Sequence, residues 1–217
     1  MVDPPSAAST RARILDTALS LFSDGGYDKV SVRDIAQAAQ VNVAAISYHF
    51  GGKPGLYRAA MTEPMGTARD DIPRFDQPHF SLRESLQGLY LCLLEPFMLD
   101  PRAQRCLRLH LREMLDPTGL WNEQVQQDFR PAHEALMRVL SRHLRLDGID
   151  DELVRLSMAL SGLAVHLYLS RDVVLALRPG LMADAAAMMD WRDRLVDQGL
   201  ALVQDEARRR GLPPIPV

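Results

Sequence analysis

Apolar side chains in this chain recur at helical spacing almost from end to end, and no stretch alternates long enough to form a strand. Ile14, Ala18, Leu21 and Phe22 fall at i, i+4, i+7 and i+8, and Leu15 widens that stripe. Val32, Ile35, Ala36 and Ala39 make a second apolar face. An all-α fold follows.

Breakers divide the pattern. "DGGY" at 24–27 supplies a glycine stop. Ser31 with Asp34 reads as a capping box that opens the second helix. "QVN" breaks it, and Asn42 caps a third helix. "GGKPG" ends the third, and Pro54 is placed as the first residue of a fourth. Pro64, Pro73 and Pro78 make 64–80 irregular, the expected junction between an N-terminal and a C-terminal part. Beyond it, Ser81 and Glu84 form another capping box and Pro101 opens a further helix. "DPTG" stops that one, and a helical stretch over 119–145 should be kinked by Pro131. Two long helices, 151–177 and about 184–210, are separated by "RPG". The expected organisation is a disordered tail over 1–9, a three-helix helix-turn-helix domain over 10–56, and a helical body over 57–217.

Bulk charge argues for no partner. The net charge is -3, and the first sixty residues hold six Lys/Arg against five Asp/Glu. Any nucleic-acid reading must rest on local placement. A 47% hydrophobic and 24% charged composition is that of a globular chain, not a disordered one. Cys92 and Cys106 have no metal or redox spacing and sit in apolar helical patterns, as buried thiols do. The N-terminus carries no apolar run of a secretory signal. The longest nearly apolar run, "MALSGLAVHLYLS", is too short to span a bilayer. A cytoplasmic location with no membrane contact is expected.

The stretch "VNVAAISYHFGGKP" carries the chemistry. Three short helices with a tight turn between the last two match a helix-turn-helix. On the third, Ile46 and Phe50 share the packing side, while Ala44, Ser47 and Tyr48 point away, with Val43 and Ala45 at the borders. Small residues let a backbone approach base edges, and alanine or valine can touch thymine methyls. The Ser47 and Tyr48 hydroxyls can donate to phosphates or bases. His49 and Lys53 sit where a phosphate would lie. Ser31, at the start of the second helix, offers a hydroxyl and free N–H groups to an anion. Arg11, Arg13 and Arg33 add positive charge at the leading edge, and Asn42 opens the reading helix.

Residues 10–61, from "TRARILDTALSLF" through "SVRDIAQAAQV" to "YHFGGKPGLY", resemble the DNA-binding domain of TetR-family transcriptional repressors. Val43 and Ser47 depart from the family pattern, which has a basic or polar residue and an aromatic there; the operator sequence is what these departures affect. "HLREMLDPTGLWNEQV" and "HLYLSRDVVLALRPG" resemble the CecR-type subgroup. The resemblance implies an all-α domain that binds a small-molecule effector and forms a homodimer on a palindromic DNA operator, without a cofactor.

The candidate pocket residues are Tyr90, Phe97, Met98, His110, Met114, Trp121, Phe129, His133, Met137, His166 and Tyr168: an apolar wall with a few polar groups, suited to an amphipathic organic ligand. The dimer is expected through 151–177 and 184–210. Leu153, Leu156, Leu160, Leu163 and Leu167 line one helix; Trp191, Leu195, Val196, Leu202 and Val203 line the other. Those same faces can instead pack within one chain. His110 and Glu113 at i, i+3 are too few for a metal site, so no metal is expected. An enzyme using His110, Glu113 and His133 lacks a nucleophile elbow or phosphate loop to support it. A DNA-binding scaffold without an effector is the remaining alternative.

Overall fold

In a computed structural model of the protein, residues 7–98 and 101–216 are described. Among them, helices run in chain order as α1 (Ala7–Gly25), α2 (Val32–Ala38), α3 (Val43–Phe50), α4 (Lys53–Thr62), α5 (Ile72–Phe75), α6 (Leu82–Met98), α7 (Pro101–Leu115) and α8 (Gly119–Gln124). A five-residue π-turn (Val125–Phe129) follows. Then come α9 (Arg130–Leu144), α10 (Asp151–Leu169), α11 (Arg171–Leu177), a 3-10 turn (Pro179–Met182) and α12 (Ala185–Arg209). The expected tail over 1–9 lies partly outside the described residues, and Ala7–Ser9 are already the first turn of α1 rather than tail.

The capping signals act as written. The Ser31 N–H donates to the Asp34 carboxylate (2.9 Å), and the Asp34 N–H donates to the Ser31 hydroxyl (3.1 Å). Ser81 and Glu84 close the same reciprocal pair at α6, and Asp150 accepts from the Leu153 N–H at α10. Pro131 lacks an N–H, and its ring opposes the carbonyl four residues back. The π-turn sits immediately before it, so the 119–145 stretch yields by widening one turn. One expectation fails. The helix over 151–177 is interrupted at Ser170, whose backbone leaves the helical region (φ −98°, ψ 11°) while its hydroxyl (2.6 Å) joins its own N–H (2.9 Å) on the His166 carbonyl.

The chain folds as two compact units. The first comprises residues up to Thr67 together with 99–124; the second takes 68–98 and 125–217. The split at 67/68 falls inside the irregular 64–80 segment. The segment 99–124, which the sequence reading placed in the C-terminal body, instead packs as α7 against α1 and α4.

The first unit is centred on fully buried Ile14, Leu19, Phe22, Ile35, Ile46, Leu56 and Met61, joined by Cys106 and Leu109 from α7. Each such aliphatic or aromatic side chain contributes about 1.5–3 kcal/mol by leaving water. Gly55 lets the start of α4 lie directly on the Phe50 carbonyl at the end of α3, where a Cβ would collide. Arg112 reaches the carbonyls of Asp24 and Gly25 at the end of α1 (3.3 Å each), where the helix dipole favours a cation.

In the second unit, α6 packs along α12 and α5 lies across α6. Gly88 admits the Arg74 carbonyl of α5, again where a Cβ would collide. Leu153, Leu156, Leu160 and Leu167 of α10 point into this core with Leu195, Val196 and Val203 of α12. Leu163, Trp191 and Leu202 pack against its edge. The faces expected to meet a partner are therefore spent within the chain. What α10 leaves exposed is a different stripe: Val154, Met158 and Leu169, continued by Val173, Leu177 and Leu181. By length and composition α10 is also long and apolar enough to cross a membrane. It begins seven residues before the 13-residue run, at Asp151, and so takes in the charged Asp151, Glu152 and Arg155.

Candidate nucleic-acid interface

α3 is eight residues long and is fixed at both ends. The Asn42 side-chain oxygen accepts from the Ala44 N–H (2.9 Å), and Gly51 closes the helix in the left-handed region at φ 70°, its N–H on the Ser47 carbonyl (2.9 Å). The turn before it is tight: Gln40 takes φ 51°, and the Val41 N–H reaches back to the Ala36 carbonyl (2.9 Å). Ile46 is fully buried and anchors α3 in the first unit's core. Asn42, Val43, Ala44, Ser47 and Tyr48 are exposed, Tyr48 at 83%. Ala45 is half-buried against the core. The outward face is thus short-chained apart from one tyrosine, and it carries two hydroxyls and no charge.

The surrounding cations are held unequally. Arg13 and Arg33 are exposed. Arg11 forks onto the Glu63 carboxylate (2.8 and 2.5 Å) and lies over the Phe50 ring at 4.7 Å, so much of its charge is answered within the unit. The same pairing holds the Glu63 carboxyl below its ordinary range. Lys53 sits over the ring of Tyr27, its ammonium 4.2 Å from the centroid. His49 is half-buried between the rings of Tyr48 and Phe50. At Ser31 the expected anion position is partly taken, since Asp34 already presents its carboxylate to the Ser31 N–H just before α2. Hydrogen bonding to Ser31, first through its hydroxyl and then through its N–H, lowers the Asp34 pKa.

Behind this face, Tyr57 is fully buried and donates its hydroxyl to Glu113 of α7. The other Glu113 oxygen accepts from the Thr118 N–H (3.0 Å) and hydroxyl (2.9 Å). Burial, then the hydrogen bond to Glu113, push the Tyr57 phenol well above its ordinary pKa. Both Glu113 oxygens are thus engaged by Tyr57 and Thr118, and the His110 Nδ1 donates to the Cys106 carbonyl (2.9 Å). Both thiols are protonated at neutral pH: burial raises Cys92 and Cys106 to about 12 each. Among the described residues, no three His, Cys, Asp or Glu side chains gather as a metal site would.

The expected pocket residues are divided. His110, Met114 and Trp121 belong to the first unit, with Met114 exposed. Tyr90, Phe97, Met98, Phe129, His133, Met137, His166 and Tyr168 belong to the second. There, Phe97 and Tyr168 stack at 4.7 Å, Tyr90 is buried with its hydroxyl on the Leu160 carbonyl (3.2 Å), Met98 and Met137 pack at the core's edge, and His166 is exposed. Sequence reasoning missed Tyr27 and Tyr57. Tyr27 was visible only as the end of a glycine turn.

Two family models match this chain. One, "Bacterial regulatory proteins, tetR family", covers residues 14–60. The other, "HTH-type transcriptional dual regulator CecR, C-terminal domain", covers 82–204. The probable HTH-type transcriptional regulator YttP of Bacillus subtilis is 47% identical over 55 residues, which is 25% of this chain and 27% of that protein. The chain thus spans about a quarter of that relative. The HTH-type transcriptional repressor Rv1474c of Mycobacterium tuberculosis is 30% identical over 169 residues, 76% of this chain and 86% of that one. Among solved structures, a SmeT–triclosan complex superposes with a TM-score of 0.64 at 20% identity, covering 88% of this chain and 90% of the other.

Proposed function

This chain belongs to the TetR family of transcriptional regulators, with a C-terminal part of the CecR type, and from that premise we propose that it is a ligand-responsive repressor working as a homodimer. The observation that carries the proposal is the outward face of α3, with Ile46 rooted in the core and Val43, Ala44, Ser47 and Tyr48 free to enter a major groove. The enzyme alternative falls with the family, whose named members here are transcriptional regulators. The reading helix contacts base edges through Asn42, Val43, Ala44, Ala45, Ser47 and Tyr48. Arg13, Arg33, His49 and Lys53 meet phosphates, with Arg11 and Ser31 contributing less because Glu63 and Asp34 already engage them. Two copies on one duplex read a palindromic operator with half-sites about one turn apart.

The exposed stripe Val154, Met158, Leu169, Val173, Leu177 and Leu181 supports a second copy as the partner of α10 and α11. An amphipathic organic effector is supported by the half-buried Met and aromatic residues of the second unit and by the triclosan that SmeT carries. It releases the operator by binding the DNA-incompetent state more tightly. A bacterial cytoplasm is the compartment for such work. Selection of bound sites from random DNA tests the core of this: it should return an inverted repeat, and a single unpaired half-site, or no enrichment, would sink the reading. Thermal shift against amphipathic compounds tests the effector, since a ligand of the native state raises the melting temperature.

A further inference from the structure

Lys53 opens α4 immediately after Gly52, and its ammonium rests 4.2 Å from the centre of the Tyr27 ring. A surface lysine ordinarily spreads over many rotamers, which it must give up to hold a phosphate. Here one side of its range is bounded by an aromatic face whose quadrupole attracts it. The Tyr27 ring is itself held. It meets Tyr57 edge-on at 4.8 Å and stacks on Phe22 at 6.2 Å. Tyr57 in turn is tied through its hydroxyl to Glu113, which the Thr118 N–H also grips. Glycine at 26, with φ 81° and the Arg112 guanidinium against it, sets the backbone from which Tyr27 departs.

The geometry points to Tyr27 as a positioning residue for DNA binding: its ring face pre-sets the ammonium of Lys53 for an operator phosphate. This rests on the reading of Lys53 as a phosphate contact. The plain alternative is that Tyr27 only fills space behind the turn after α1. The two differ in whether the effect of Tyr27 on DNA passes through Lys53.

The experiment is a double-mutant cycle read by titration of the selected operator at several salt concentrations. Lys53→Ala should weaken binding and lessen the salt slope by about one unit. Tyr27→Leu should weaken binding about two- to fivefold. Tyr27→Phe, which keeps the ring face, should stay within twofold of wild type. In the Lys53→Ala background, Tyr27→Leu should cost nothing further. An equal loss in both backgrounds overturns the proposal, as does a Tyr27→Phe variant as weak as Tyr27→Leu. If Tyr27→Leu does not fold, a series of progressively fluorinated phenylalanines at position 27 keeps the shape while draining the ring face. Affinity should fall stepwise along that series, and a flat series refutes the proposal. Loss of the phosphate reading is seen separately, as a Lys53→Ala variant that binds like wild type with an unchanged salt slope.

Discussion

Two side chains near the reading helix show how differently exposure and strain act. Tyr48, at 83% exposure, gives almost nothing to the fold. Tyr48→Ala should therefore leave thermal stability within about 0.5 kcal/mol while costing roughly 1–3 kcal/mol of operator affinity. A variant that binds as tightly as wild type removes Tyr48 from the interface. Gln40 behaves in the opposite sense. It holds φ 51°, where a Cβ is strained and glycine is not. Gln40→Gly should stabilise the protein by up to about 1 kcal/mol in denaturant unfolding, and a destabilised variant contradicts the strain argument. The position of this turn was legible from "QVN" and the Asn42 cap, because capping is a local exchange of hydrogen bonds. The strain was not, because nothing in a glutamine announces a left-handed backbone. The bracing of Lys53 by Tyr27 was invisible for a different reason: their contact needs the turn after α1 to be brought beside the start of α4.

Helices were legible where their ends are local and less so where packing sets them. The capping boxes at Ser31 and Ser81 and the loosened turn before Pro131 follow from residues within four positions. The break at Ser170 does not announce itself, since serine is tolerated inside many helices and only its backbone, at φ −98° and ψ 11°, shows the interruption. The short helix α5 was missed inside a proline-rich segment, and its seat on α6 depends on Gly88, which reads as an ordinary helix glycine until the Arg74 carbonyl is seen against it. Gly55 does the same for α3 and α4. There the obstacle is the Phe50 backbone carbonyl rather than a flexible side chain, so the helices must part to admit a methyl group. Gly55→Ala should destabilise the first unit by roughly 1–3 kcal/mol, read as faster amide exchange in α3 and α4. Unchanged exchange there would show that the junction has slack.

At the scale of the whole molecule, pH and association report on different faces of the second unit. His133 and His143 on α9 both have depressed pKa values, mainly from burial, with Arg142 adding to the effect at His143. A folded pKa below the unfolded value of 6.5 means that the unfolded chain binds protons first. Their contribution to stability is therefore complete above about pH 6.5 and drains as pH falls below it. The melting temperature should drop between pH 7 and 5, and His133→Leu should flatten that drop; an unchanged profile would clear His133 of the effect.

Association depends on the opposite question, which face of α10 is available. The leucines at 153, 156, 160 and 167 are the conspicuous apolar residues in the sequence, yet they are spent on the chain's own core. The residues left exposed are individually unremarkable: Met158 at 56%, Leu177 at 73%, and the intervening Gly162, Leu169 and Val173. Periodicity could identify both stripes but could not rank them, because a helix with two apolar faces reads alike from either side. The variants separate them. Leu160→Glu should unfold the unit, since it buries a charge without a partner. If the proposed homodimer uses this face, Met158→Glu should leave the melting of each chain intact while placing two like charges across its two-fold axis, so that sedimentation shifts from dimer to monomer and operator affinity falls. A Met158→Glu protein that stays dimeric would move the interface off α10, and with it the geometry that sets the half-site spacing.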